Sequence, residues 1–569
     1  MHKKANVEST ADAYLELLAA RGVEYFFANA GTDFAPIIEA YARRIAHAQR
    51  SPRPMTVPHE AVAVGMAHGY AMVTGRPQVV MVHVIVGTAN ALAGIMNAAR
   101  SNVPMLVSAG RNPITEAGAL GSRDRSIHWA QESFDQASIV REWVKWDYEL
   151  RNFAQLETVV DRALAITQAE PQGPVYLTLP REVLADRHET FEYADPARMP
   201  RPSASTPDGD AVAEAARLLA AARNPIVISK ALGRDPEAVA ALLALAEALA
   251  LPIFDQSHTH LNFPQGHPLH AGFDSAAALA ETDCIVVAEC DAPWYPHLTS
   301  PSPEAKIIQL GVDPLFSRYP VRGFQGDVAL GGAPRLSLKA LAEAASRLAD
   351  SSVVAERRTR WERENVRHRE TRAARARAVA ADTPIDMAWL SRCIGELVDD
   401  RTILINEYDF DASQATLTRP GSYFAASPAG GLGWGLGAAL GARLAAPDKT
   451  VICCVGDGAY IFGAPTAAHF VSRAYDIPVL FVIFNNRMWN AVKRAVQTHV
   501  RDGWAVKTGV MPLTELDPAP DYELICRASG GHAERVEHPA QLPEALKRAL
   551  HVVRDEKRQA LLNVICKKP

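Results

Sequence analysis

KTVICCVGDGAYIFG (449–463) and IPVLFVIFNN (477–486) are the two stretches that decide how this chain folds. Each opens with an apolar, β-branched run of strand length and stops abruptly, the first at Gly456-Asp457-Gly458 and the second at Asn485-Asn486. Runs that are apolar on both faces belong to parallel sheets covered by helices, and the carboxyl ends of such strands form the ligand edge. The two endings therefore converge on one crevice. A carboxylate and a carboxamide oxygen, joined by a main-chain carbonyl, are hard oxygen ligands suited to Mg²⁺, whose octahedron is completed by phosphate oxygens and water. Glycines beside them let the backbone approach a phosphate closely. Either motif alone reads as an ordinary turn; the pair, each directly after a buried strand, reads as a site.

The same alternation of short apolar runs and helical patterns recurs across the chain. VEYFFANAG, PQVVMVHVIVG and PMLVSAG are candidate strands in the first third, with a helix from about Glu60 to Thr74 between the first two. NPIVISK, LPIFDQS, DCIVVAE and AKIIQLG follow in the middle, and TILIN and LLNVICK flank the opening pair near the end. The expected architecture is α/β: three consecutive units with mostly parallel sheets, at 1–185, 209–350 and 383–569. A proline-rich linker fills 186–208, and a charged connecting helix spans 351–382, where glutamates interleave with arginines. A chain of 569 residues and 61.6 kDa has room for three or four domains. Its net charge of -5 provides no footprint for nucleic acid. No uninterrupted apolar run reaches the roughly 18 residues that span a bilayer, and no signal-like h-region is visible, so the expected compartment is the cytoplasm. Seven scattered cysteines without a C-x-x-C pair suggest reduced, buried thiols.

GDG followed by NN at this spacing resembles the fingerprint of the thiamine diphosphate (ThDP) 2-oxo acid decarboxylase and carboligase family, the group of acetohydroxyacid synthase and benzoylformate decarboxylase. The resemblance implies Mg²⁺ held by Asp457, Asn486 and the main-chain oxygen of Met488, with the diphosphate beside Gly458 and Ala459. In PGSYFAASPAGGLGWGLGAALGARLA (420–445) it implies a main-chain carbonyl of Gly430 accepting from the aminopyrimidine and a Leu432 side chain under the thiazolium. Read without the resemblance, these glycines suit close helix packing better than a dinucleotide loop, since no acidic residue closes a following strand. VPHEAVAVGMAHGYA (57–71) resembles the segment whose glutamate bonds N1' of the pyrimidine, a role that falls to Glu60; on its residues alone, Glu60 suits a helix cap. Because Glu60 and Asp457 lie in different units, the family architecture implies a homodimer as minimum, and a homotetramer, with each cofactor shared between chains.

Within that family the closest likeness is to the benzoylformate decarboxylase branch. VVMVHVIVGTAN places His83, the one titratable group of an apolar strand, where that branch has a catalytic histidine. Thr32 in Asn29-Ala30-Gly31-Thr32 matches a serine, and His267 in Phe263-Pro264-Gln265-Gly266-His267-Pro268 a second histidine. On its residues alone a lone strand histidine such as His83 is more often a satisfied core residue, the H-P segment suits a structural role for His267, and His258, His260, His267 and His270 also admit a zinc reading. ISKALGRD lacks the Gly-Gly pair found near the flavin of acetohydroxyacid synthases, which argues against FAD. The implied function is non-oxidative decarboxylation of a small-molecule 2-oxo acid to an aldehyde through a C2 ylid and an enamine. The alternatives are a carboligase, acetolactate synthase-like or benzaldehyde lyase-like, that joins the enamine to an aldehyde or ketone acceptor, and a non-catalytic ThDP-binding scaffold.

Overall fold

A computed structural model describes residues 1–568 and contains three six-stranded sheets, each parallel throughout. The first runs in spatial order Arg53–Thr56, Tyr25–Ala28, Val79–Val82, Met105–Arg111, Pro174–Pro180 and Asp147–Glu149. The third runs Tyr423–Ala425, Thr402–Glu407, Thr450–Gly456, Leu480–Asn485, Ala560–Ile565 and His532–Val536. Numbered within its own unit, each of these two sheets has the strand order 2-1-3-4-6-5, whereas the central sheet is ordered 3-2-1-4-5-6. The outer units thus share one topology and the middle one differs. In both outer units the crossovers reverse between the first and third strands, and an open parallel sheet binds its ligands in the crevice at such a switch point. The strand ends that frame it are Ala28 and Val82 in the first unit, Glu407 and Gly456 in the third.

The central strands are legible because their side chains have nowhere to go but inward. Val79–Val82, Thr450–Gly456 and Leu480–Asn485 are buried at every position. Edge strands such as Arg53–Thr56 and Asp147–Glu149 are short and only partly covered. A small antiparallel pair joins His2–Asn6 to Thr190–Ala194, inside the stretch read as a linker, and so ties the chain start to the end of the first unit.

Glycines set how the outer units meet. Helix Glu60–Thr74 of the first unit crosses helix Trp434–Ala445 of the third at backbone contact. A Cβ on Gly69 would lie 2.0 Å from the carbonyl oxygen of Ala438, and one on Gly441 would lie 1.9 Å from that of Met66. Any side chain there would force the helices apart, and overpacking of this kind costs roughly 1–3 kcal/mol per site. Val62, Val64, Leu436 and Leu440 consequently share one core, while the central unit has its own. The charged helix Ser351–Ala378 is anchored rather than merely solvated: the buried Arg357 guanidinium donates to the carbonyls of Leu249 and Ala222, each at 2.7 Å. All seven cysteines are buried and free, and among the described residues no helix is long and apolar enough to cross a membrane.

Candidate active site

The first half of the site gathers at the switch point of the first sheet. Glu60 opens its helix and is buried, but it is not the cap: His59 takes that position, accepting from the Ala61 N–H at 3.2 Å. Both Glu60 oxygens are instead held by side-chain amides. Asn29, just past strand Tyr25–Ala28, donates to Oε1 at 2.9 Å, and Asn90, on helix Val84–Arg100, donates to Oε2 at 2.7 Å. Gly87 packs on the same carboxylate, where a Cβ would stand 3.2 Å from Oε1. A carboxylate fixed from two neighbouring elements is a positioned hydrogen-bonding group, and a helix cap would not need that arrangement.

The expected strand through PQVVMVHVIVG stops early. It ends at Val82, and His83 caps the helix that begins at Val84, whose φ of +33° lets the chain leave the sheet at once. His83 therefore stands at the ligand edge itself and not within the strand. Its Nδ1 lies 2.5 Å from Oδ1 of Asp33 in the turn Thr32–Phe34. The Asp33 bond holds the imidazole above the ordinary histidine range; burial opposes this, and the negative charge of Glu60 adds to it. Thr32 is exposed beside them.

The second half lies at the switch point of the third sheet. Asp457 follows strand Thr450–Gly456, is 1% exposed, and has an oxygen, Oδ2, that is buried without a hydrogen-bond partner among the described residues. Burial pushes its carboxyl up to about 7; the backbone N–H groups of Gly458 and Arg487 pull the other way, and Asp409 adds to the rise. An orphaned buried carboxylate oxygen is expensive unless something pairs with it. Asn486 ends the neighbouring strand region, its Oδ1 accepting from the Met488 N–H at 3.0 Å, and Arg487 between them has a φ of +58°. Trp489 and Leu516 pin this loop, the Trp489 N–H donating to Thr514 at 2.7 Å and the Leu516 N–H to the Arg487 carbonyl at 2.9 Å. Gly458 is obligatory here, since a Cβ would sit 2.5 Å from the Trp489 ring. Asp457, Asn486 and the Met488 main chain offer a carboxylate, a carboxamide and a carbonyl, a donor set whose chemistry fits a hard divalent cation.

The glycine loop before helix Trp434–Ala445 is docked on the first unit. Asn97 accepts from the Gly431 N–H at 3.0 Å and donates to its carbonyl at 2.8 Å, while Gly430 turns with a φ of +72°. Leu432 lines a cavity of about 240 Å³ together with His59, Asn90 and Trp434.

Four residues escaped the sequence reading. Asn29, Asn90 and Asp33 position Glu60 and His83, and nothing in their spacing distinguishes them from other polar residues near strand ends. Glu407 was traceable as the acidic end of a buried strand: its oxygens accept from the N–H groups of Gly433 and Gly435, both at 2.7 Å, and burial pushes it up to about 7. It fastens the start of helix Trp434–Ala445. Conversely, His267 joins neither half in this chain, since its Nδ1 accepts from the Leu269 N–H and its Nε2 meets Glu247 at 3.1 Å, both within the central unit. The zinc reading fails as well: His258 stacks on Tyr423, His270 bonds Asp255, and among the described residues no cluster of three or more His, Cys, Asp or Glu is arranged to hold a metal ion.

Three family models match the chain: "Thiamine pyrophosphate enzyme, N-terminal TPP binding domain" over residues 8–139, the central domain of the same enzymes over 212–341, and their C-terminal TPP binding domain over 407–564. Benzoylformate decarboxylase of Pseudomonas aeruginosa is 26% identical, covering 96% of this chain and 97% of its own. A probable 2-ketoarginine decarboxylase of the same organism is 30% identical over 83% of this chain and 80% of its own. The solved ThDP-dependent 4-hydroxybenzoylformate decarboxylase of Rhodococcus jostii superposes with a TM-score of 0.79 at 24% identity, covering 99% of both chains, a likeness of fold.

Proposed function

This chain belongs to the thiamine pyrophosphate enzyme family, and we propose that it decarboxylates a 2-oxo acid without oxidation, giving an aldehyde and CO₂. The observation that carries the decarboxylase reading is a candidate proton donor near the activating carboxylate: His83, whose protonated form the Asp33 bond favours, lies within the field of Glu60. An aldehyde product requires a proton at the carbon that loses CO₂, and a positioned imidazolium supplies one.

ThDP, when bound, provides the electron sink that makes loss of CO₂ feasible. Everything else is the work of the chain. Asp457, Asn486 and the Met488 carbonyl would hold Mg²⁺, the orphaned Oδ2 of Asp457 being the oxygen the cation satisfies. Gly458 and Ala459, at the start of the short helix Asp457–Phe462, would accommodate the diphosphate, and Gly430 and Leu432 would meet the rings. Glu60 would hold the pyrimidine N1', with Asn29 and Asn90 keeping both of its oxygens in place. Thr32, exposed beside His83, would orient the substrate carboxylate.

Glu60 and Asp457 stand at the switch points of two different sheets, and a second copy would complete each site, with a dimer as the minimum and a tetramer as the expected assembly. Side chains left bare next to both halves, Val86 at 48% and Phe462 at 58% exposure, suit burial by that copy. The protein would work in the cytoplasm.

A panel of aliphatic and aromatic 2-oxo acids, supplied with ThDP and Mg²⁺, tests the proposal. CO₂ release with stoichiometric aldehyde is expected. CO₂ release accompanied only by acyloin or acetolactate would replace the decarboxylase with a carboligase, and no CO₂ from any of them would refute both.

A further inference from the structure

Asp33 is a buried carboxylate, 3% exposed, that no motif identified. One oxygen meets His83 Nδ1 at 2.5 Å, and the other, Oδ2, is buried with no hydrogen-bond partner among the described residues. Two glycines make the slot that admits the pair. A Cβ on Gly31 would lie 2.1 Å from His83 Nδ1, and a Cβ on Gly110, in strand Met105–Arg111, would lie 1.9 Å from Asp33 Oδ2. Immediately after His83, Val84 takes a φ of +33°, a conformation a β-branched residue avoids unless its surroundings impose it. Slot and strain together fix one placement of the ring.

We infer that Asp33 is the positioning residue for the protonation step: it takes the Nδ1–H of His83 and so directs Nε2–H, which has no partner among the described residues, into the crevice beside Glu60. A carboxylate on one ring nitrogen dictates what the other can do. In the step itself the Nε2–H bond breaks as a C–H bond forms at the carbon that has lost CO₂. His83 is left neutral with its Nδ1–H still on Asp33, and water returns the proton. No oxidant or reductant enters. The charged groups facing the ring are Asp33 from the turn and Glu60 from the neighbouring helix, and both favour the imidazolium, against the opposing effect of burial. Tyr176, on strand Pro174–Pro180, is the remaining ionisable group near Asp33; burial pushes its phenol up to about 12, which leaves it neutral.

This inference rests on the decarboxylase reading, yet half of its test does not. Asp33→Asn keeps the shape and removes the charge, and Asp33→Ser is a smaller second variant should the amide be tolerated poorly. Histidine-selective NMR of the full-length protein, with His83 assigned by its loss in His83→Gln, follows the ring in the absence of substrate. In both variants His83 should titrate at lower pH than in the parent, by roughly 1 pH unit or more. In the holoenzyme the alkaline limb of kcat for a 2-oxo acid, where activity fades as His83 loses its proton, should move to lower pH by the same amount, with KM and ThDP affinity unchanged. If His83 titrates as in the parent, or if the limb stays in place while kcat falls, Asp33 does not position His83 for proton transfer. If the parent turns over no 2-oxo acid, the decarboxylase reading fails, and the NMR titration alone decides whether Asp33 governs the ring.

Discussion

Glu60→Gln protein is expected to bind ThDP and Mg²⁺ with parental stoichiometry yet release CO₂ from its 2-oxo acid about 10²–10⁴-fold more slowly, the range that a single positioned acid–base group supplies. The substitution is nearly isosteric and changes one atom's chemistry. Asn29 and Asn90 both donate to the carboxylate, so the variant amide keeps one of these bonds and turns its NH₂ toward the other donor. The fold should survive, because the helix is capped by His59 and its packing on the partner helix is set by Gly65 and Gly69. A matching loss is expected in hydrogen–deuterium exchange at C2 of bound ThDP, read by quenching and NMR. Parental exchange in the variant would remove Glu60 from cofactor activation.

Asp457→Asn should separate stability from function. In the cofactor-free protein Asp457 is a buried carboxylate with one oxygen unpaired, so replacing it with a neutral amide should raise stability by on the order of 1–3 kcal/mol at pH 8. The sign follows from its carboxyl, pushed up to about 7 by burial. Folding favours the protonated form, so the parent loses stability as pH rises from the ordinary carboxylate range through about 7, and the variant does not. The gap between them should widen over that window and close below it. Metal-dependent ThDP binding should weaken by at least the ~10–100-fold that losing an outer-shell partner of a metal site costs. Chemical denaturation against pH, paired with calorimetric titration of ThDP and Mg²⁺, reads both effects. A variant that is less stable without cofactor would mean that Asp457 is paired by something other than a cation.

The parts of the fold that were legible in the sequence are those where burial constrains every position. Val79–Val82, Thr450–Gly456 and Leu480–Asn485 are buried throughout and mostly apolar because helices cover both faces of their sheets. Edge strands such as Arg53–Thr56 and Asp147–Glu149 do not show in the sequence, because they are short and contain no buried apolar run. His2–Asn6 and Thr190–Ala194 were equally hidden, because neither looks like a strand until the other lies beside it. At the site, Asp457, Asn486 and Glu60 stood out because spacing and strand ends marked them. Asp33, Asn29 and Asn90 act through partners 50, 31 and 30 residues away in sequence, a relation that only the folded chain displays. Asp409, which burial pushes up to about 6 beside Gly456, belongs to the same class. His83 was identified as a residue but misplaced within a strand, because an apolar helix start, Val84–Val86, has the same composition as a strand continuing.

Two chains build each proposed site, one supplying Glu60 and the other Asp457. Glu60→Gln and Asp457→Asn proteins, each inactive alone, can be mixed, dissociated and reassembled, and CO₂ release from the 2-oxo acid measured. In a two-fold assembly, random exchange makes half of the dimers hybrid and restores one of the two sites in each, so activity should return to about a quarter of the parental value. A mixture that stays inactive while hybrids demonstrably form would show that Glu60 and Asp457 serve the same site from one chain, with no second copy needed.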